Sequence, residues 1–197
     1  MLVIPKEQIE AFRANTIANG DRNLHIDTGY FLAWYAASEM RITSLLALAS
    51  GVEDFEVFDA LTYGMDVRVK IERFRKICKN KTTIGPNLSE RLTYLDAKAR
   101  PLRNKLSHSF IGINEKRENT YFVSTLGNLP WNELSERRPD WASKRTQPHA
   151  IHAEVLLGWG SWLSQFTKDL SAAFQHFLVS KEFEILNPKT VVPKELT

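Results

Sequence analysis

At 197 residues the chain can bury one sizeable core and is too short for two comfortable domains. Its 43% hydrophobic and 25% charged content are those of an ordinary globular protein, and a net charge of only +3 does not by itself imply nucleic acid. The lone Cys78 excludes an intrachain disulfide and fits a reducing compartment; the opening Met1-Leu2-Val3-Ile4-Pro5-Lys6 is too short for a signal peptide and the chain has no run of about 18 apolar residues, so a cytoplasmic protein without a membrane segment is expected.

Helical periodicity dominates the chain, and the predicted fold class is all-α. Pro5 opens a short helix to about Ala18, stopped by Asn19-Gly20. A long helix is predicted over 27–50, with Gly51 as its stop. On it Leu32, Tyr35, Glu39, Ile42 and Leu46 share one stripe, so a carboxylate interrupts an apolar face. A short helix over 53–63 ends at Gly64 and carries the acidic patch Glu53, Asp54, Glu56 and Asp59. Asp66 then caps a helix to about Lys79 that aligns Val67, Ile71, Phe74 and Ile77/Cys78. Its other faces, continuing to Lys81, carry Arg68, Lys70, Arg73, Arg75, Lys76, Lys79 and Lys81 against Glu72 alone. Cys78 falls on the apolar side, where a thiol is a small hydrophobe.

Thr82-Thr83-Ile84-Gly85-Pro86 is a turn, after which Asn87 is expected to cap the next helix with Glu90 in capping-box position. Leu92, Leu95, Ala99, Leu102 and Leu106 form its apolar stripe, and Pro101 is expected to kink it. Phe110–Asn114 and Thr120–Ser124 alternate like strands and predict a small hairpin over about 110–124. An irregular loop over about 127–148 precedes a last long helix, expected from about Pro148 to Phe183 and apolar on more than one stripe. Residues 1–185 are expected to form a single domain, and 186–197 an extended or disordered tail.

The helix before the hairpin ends in Arg103-Asn104-Lys105-Leu106-Ser107-His108. A permanently charged arginine and a histidine that titrates near neutrality are the two groups needed to cut a phosphodiester without a metal. Asn104 and His108 share a helix face, so the amide can orient the imidazole; Arg103 and His108 lie roughly 140° apart and flank a groove. The same residues near a helix C-terminus also satisfy its dipole and unpaired carbonyls. Glu39 needs a partner if buried, and two packed helices could bring it to Arg103; a surface lysine is the alternative. Asp96 is another candidate partner for Arg103. His149-x-x-His152 with Glu154 lacks a well-spaced further ligand, so no metal is expected, and no phosphate loop, dinucleotide fingerprint or nucleophile elbow is present.

These residues resemble the HEPN superfamily of helical, nucleic-acid-associated domains. The resemblance covers about residues 24–180 and rests on Arg103, Asn104 and His108 as an R-[polar]-x-x-x-H motif, with Glu39 matching an acidic residue about 60 positions upstream. It implies a HEPN-like helical bundle of four to six helices with a small β-hairpin insertion after the motif helix. It also implies a metal-independent endoribonuclease of toxin–antitoxin or phage-defence type, acting as a homodimer with a composite cleft. The partners implied are RNA and an antitoxin or regulatory protein, with no cofactor. In that chemistry a ribose 2′-hydroxyl attacks phosphorus, His108 moves the proton, Arg103 stabilises the phosphate charge, Asn104 orients His108, and Glu39 positions Arg103. Lys105, Arg100, Ser107, Arg73 and Lys76 would hold the RNA backbone. Where some relatives carry a modifiable tyrosine two residues past the histidine, this chain has Phe110. The alternative in another class is a non-catalytic helical dimer that binds a nucleotide or protein.

Overall fold

The computed structural model describes residues 22–107, 110–113, 120–124 and 149–186. The expected helix over 5–18, the loop over 127–148, the tail beyond residue 186 and His108 itself lie outside the described residues. Helices dominate what is described: α1 (Arg22–Ser50), α2 (Phe55–Thr62), α3 (Val67–Lys81), α4 (Pro86–Tyr94), a π turn (Leu95–Ala99), α5 (Arg100–Ser107) and α6 (Ala153–Ser180). The chain divides into two compact units, Met1–Tyr30 with Lys105–Leu157 and Phe31–Asn104 with Gly158–Thr197.

The second unit is built on α1, α3, α4 and α6. Gly51 ends α1 at φ +69°, a left-handed conformation that an L side chain resists. Asp54 caps α2 by accepting from the Glu56 and Val57 amides, and Asp66 caps α3 by accepting from the Arg68 amide. Helix α3 buries Val67, Ile71, Phe74 and Cys78, the spacing of one helical face. On α1 the buried line is Phe31, Tyr35, Ser38, Ile42, Leu45 and Ala49, with Glu39 at its half-buried edge. The group that interrupts the apolar face is therefore Ser38. Its hydroxyl bonds Thr167 Oγ1 at 2.9 Å, and Thr167 donates to the Leu163 carbonyl at 2.8 Å. The two small hydroxyls satisfy each other at this point of the α1–α6 packing.

Three sequence expectations are corrected here. Asn87 does not cap α4: the helix starts one residue earlier at Pro86, a residue suited to the first turn, behind Gly85. The Asn87 amide instead donates to the Ile185 carbonyl at 3.0 Å. Nor does α6 run from Pro148 to Phe183: residues 149–152 form a strand, and the helix stops at Ser180 because Lys181 turns left-handed at φ 63°. Phe183 then folds back. It bridges to Ile84 and lies fully buried against Phe177 (ring centroids 4.0 Å) and Phe74 (4.9 Å). Leu102 does not join the buried stripe. Pro101 has no N–H for the carbonyl four residues back and its ring crowds that carbonyl. The strain is taken up as a wider turn, with the Arg100 amide bonded to the Leu95 carbonyl. An extra residue in a turn rotates the downstream residues by roughly 100°. Leu102 is left half-buried, and Arg103 is turned toward Tyr35 of α1.

A buried ion pair, Arg91 with Asp169 at 3.7 Å, joins α4 to α6, and Gln165 donates to the other Asp169 oxygen at 3.0 Å. In the first unit β1 (Phe110–Ile113), β2 (Thr120–Ser124) and β3 (His149–His152) pair antiparallel in the order β1-β2-β3. Phe110 lies opposite Ser124, and Thr120 opposite His152. No helix among the described residues is long and apolar enough to cross a membrane.

Candidate functional site

Tyr35 and Glu39 sit four residues apart on α1, so they share a face. Across from them α3 contributes Lys70, the turn between α2 and α3 contributes Gly64, Met65 and Asp66, and α5 contributes Arg103. Together with Val67 these residues line a cleft of about 350 Å³. Gly64 makes the turn at φ +71°, which brings the backbone round into the cleft wall.

Two cations face two carboxylates. Lys70 Nζ donates to Glu39 Oε1 at 3.0 Å, with side chains 12% and 25% exposed. The Arg103 guanidinium carbon lies over the Tyr35 ring, 5.7 Å from its centroid, and Nη1 donates to Asn104 Oδ1 at 3.0 Å. A neutral ring face attracts a guanidinium, and Tyr35 stays neutral. Burial pushes its phenol far above the usual range, reinforced by the negative charges of Glu39 and Asp66 and opposed by Arg103 and Arg100. Tyr35 is thus a fixed platform for Arg103 and no proton acceptor at neutral pH.

The expected site residues do not all converge. Glu39 and Arg103 line the same cleft, yet the ion-pair partner of Glu39 among the described residues is Lys70. The expected direct Glu39–Arg103 contact is corrected on that point, because the arginine lies over Tyr35. Asn104 engages Arg103, while His108, which it was expected to orient, lies outside the described residues. Lys105 and Ser107 are exposed and belong to the other unit. Arg100, and not Arg103, takes Asp96, with Nε to Oδ1 at 2.7 Å. Arg73 and Lys76 are exposed on α3 and do not line the cleft.

Much of the basic concentration serves the fold. Arg75 donates to the Ser89 carbonyl and to Thr93 Oγ1, tying α3 to α4. Lys81 donates to the Ser50 carbonyl, Arg68 pairs with Glu72, and Arg91 is buried with Asp169. Tyr35 and Lys70 are the cleft residues that sequence reasoning did not single out. The four-residue spacing from Tyr35 to Glu39 was a usable signal; nothing in the basic run distinguished Lys70 from its neighbours.

Residues 149 and 152 occupy a strand and not a helix face, so the helical spacing that could have shared a metal is absent. Among the described residues no group of three or more His, Cys, Asp and Glu side chains could hold a metal ion. Burial pushes the Cys78 thiol up to about 11, which keeps it protonated and non-nucleophilic at neutral pH. No protein-family model, curated protein or solved structure matches the chain.

Proposed function

We propose that the chain is a metal-independent endoribonuclease of HEPN type, with a helical bundle and small hairpin, in a toxin–antitoxin or phage-defence setting. The observation that carries this reading is the placement of Arg103: over the face of neutral Tyr35, bonded to Asn104, and lining a cleft shared with Glu39 and Lys70. A guanidinium held by its neighbours is pre-organised to stabilise charge developing on a phosphate. Asn104 fixes Arg103 in this reading. The acidic residue acts indirectly: Glu39 holds Lys70 in the cleft wall, where the ammonium can turn to a second phosphate oxygen.

His108 supplies the titrating group. It takes the proton of a ribose 2′-hydroxyl as that oxygen attacks phosphorus, or returns a proton to the leaving 5′-oxygen. The products are a 2′,3′-cyclic phosphate and a 5′-hydroxyl. Two copies of the chain would bring two motifs to one RNA. The test is cleavage of single-stranded RNA in EDTA by the wild type, His108→Ala and Arg103→Ala, with end-group analysis and circular dichroism of each. Loss of about 100-fold or more in both variants is expected, and equal activity in all three removes the reading.

One observation favours the second reading, a non-catalytic scaffold that binds a nucleotide or protein. Glu39 and Asp66 balance Lys70 and Arg103, so the cleft carries no excess positive charge. Nucleotide binding retained in His108→Ala, without cleavage by the wild type, would select it.

A further inference from the structure

A second groove, of about 400 Å³, lies between α1 and α2. Phe58, only 5% exposed, forms its floor, whereas Met40 and Tyr63 on its rim are 61% and 84% exposed. The eight-residue helix α2 also turns Val57 and Leu61 to solvent, 49% and 60% exposed. Phe58 and Thr62 are the side chains of α2 that are buried among those described, while Val57, Leu61 and Tyr63 are left exposed. An apolar floor with exposed apolar residues on its rim is the form of an interaction site.

Of the charged residues lining the groove, Glu39 and Lys70 pair with each other and Asp59 is left over, and the chain segment that forms α2 and its flanks adds further acid. From Ile42 to Val67 the chain has no lysine or arginine but carries Glu53, Asp54, Glu56, Asp59 and Asp66. Asp54 and Asp66 are engaged as helix caps. Glu53, Glu56 and Asp59 are exposed and make no ion pair among the described residues. This local acidity lies on a chain whose net charge is +3, so a cationic partner is attracted here and not by the molecule as a whole.

We propose that this groove docks a cationic amphipathic helix of a partner protein. An apolar side chain of leucine or phenylalanine size seats between Met40, Phe58 and Tyr63, and flanking lysines or arginines pair with Glu56 and Asp59. Glu39, Gly64 and Lys70 line both this groove and the cleft containing Arg103. A helix seated here therefore touches the Glu39–Lys70 pair from its other side and is placed to regulate that cleft. The docking itself does not depend on the nuclease reading.

The experiment uses the full chain and a fluorescein-labelled helical peptide of about 15 residues, with leucines on one face and lysines on the other. A matched peptide has glutamates for the lysines. Anisotropy is expected to show the cationic peptide binding at least about tenfold tighter than the acidic one, the preference falling between about 0.05 and 0.3 M salt. Tyr63→Ser, and separately Glu56→Gln with Asp59→Asn, are each expected to weaken it about tenfold, with melting curves confirming folded protein. Equal affinity for both peptides, no binding, or binding unchanged in both variants overturns the proposal. Self-association of the wild type that Tyr63→Ser abolishes, without peptide binding, assigns the groove to a second copy and also overturns it.

Discussion

Replacing Lys70 with methionine removes the cation from the Glu39 carboxylate while keeping most of the aliphatic stem in the cleft wall. The two charged atoms are 3.0 Å apart. At an effective dielectric of about 20 the bare attraction is about 5 kcal/mol. Most of that is offset. Both groups are largely withdrawn from water, at 12% and 25% exposure, and the lysine chain loses rotamer freedom. A charge-assisted hydrogen bond in this setting retains a net of about 1–2 kcal/mol, the lower end applying where solvent still reaches one partner. Lys70→Met and Glu39→Gln are each expected to lower stability by about 1 kcal/mol in urea unfolding followed by circular dichroism. The double variant should fall short of the sum by about 1 kcal/mol, and the Glu39–Arg103 cycle should show coupling below about 0.5 kcal/mol. Coupling near zero for Glu39–Lys70, or larger coupling to Arg103, refutes the assignment of partners.

Phe183→Ala removes a fully buried ring that contacts Phe74 and Phe177, and is expected to cost about 3–5 kcal/mol. Limited proteolysis is expected to cut after Ser180 faster than in the wild type; an unchanged rate counts against Phe183 as the anchor of residues 181–186. The Cys78 thiol, raised to about 11 by burial, keeps its proton in the folded state to higher pH than in the unfolded chain. The folded state therefore binds more protons between about pH 9 and pH 11, and this contribution to stability, complete below that window, is lost as pH rises through it. Relative to Cys78→Ala, the wild type should lose about 2–3 kcal/mol across the window; parallel pH profiles for the two proteins would contradict the buried-thiol assignment.

Much of the local structure was legible in the residues. Gly51 and Gly64 fall where the chain turns left-handed, Asp66 caps its helix, and Val67, Ile71, Phe74 and Cys78 point inward at helical spacing. These features depend on neighbours within about two turns, which a sequence displays directly. Leu102 was lost to a local cause, the wider turn ahead of Pro101, but two other failures arose where a contact from outside the helix decided. Asn87 has the residue type of a cap, but a carbonyl 98 positions away claims its amide. Phe183 continues an apolar helical pattern, yet Phe74 and Phe177 form the pocket that draws it out of the helix.

The candidate site divides the same way. Sequence alone determined which chemical groups are available: an arginine, an asparagine and a histidine at helical spacing, and a carboxylate, Glu39, on the long first helix. Tertiary structure decided their partners. An i,i+4 pattern states which residues share a face, but not which of several lysines or arginines a facing helix will present. Here α3 turns Lys70 to Glu39, while the π turn ahead of Pro101 sets Arg103 over Tyr35. The pairing follows from helix packing and a one-residue change of phase, and neither quantity is encoded in the spacing of the motif.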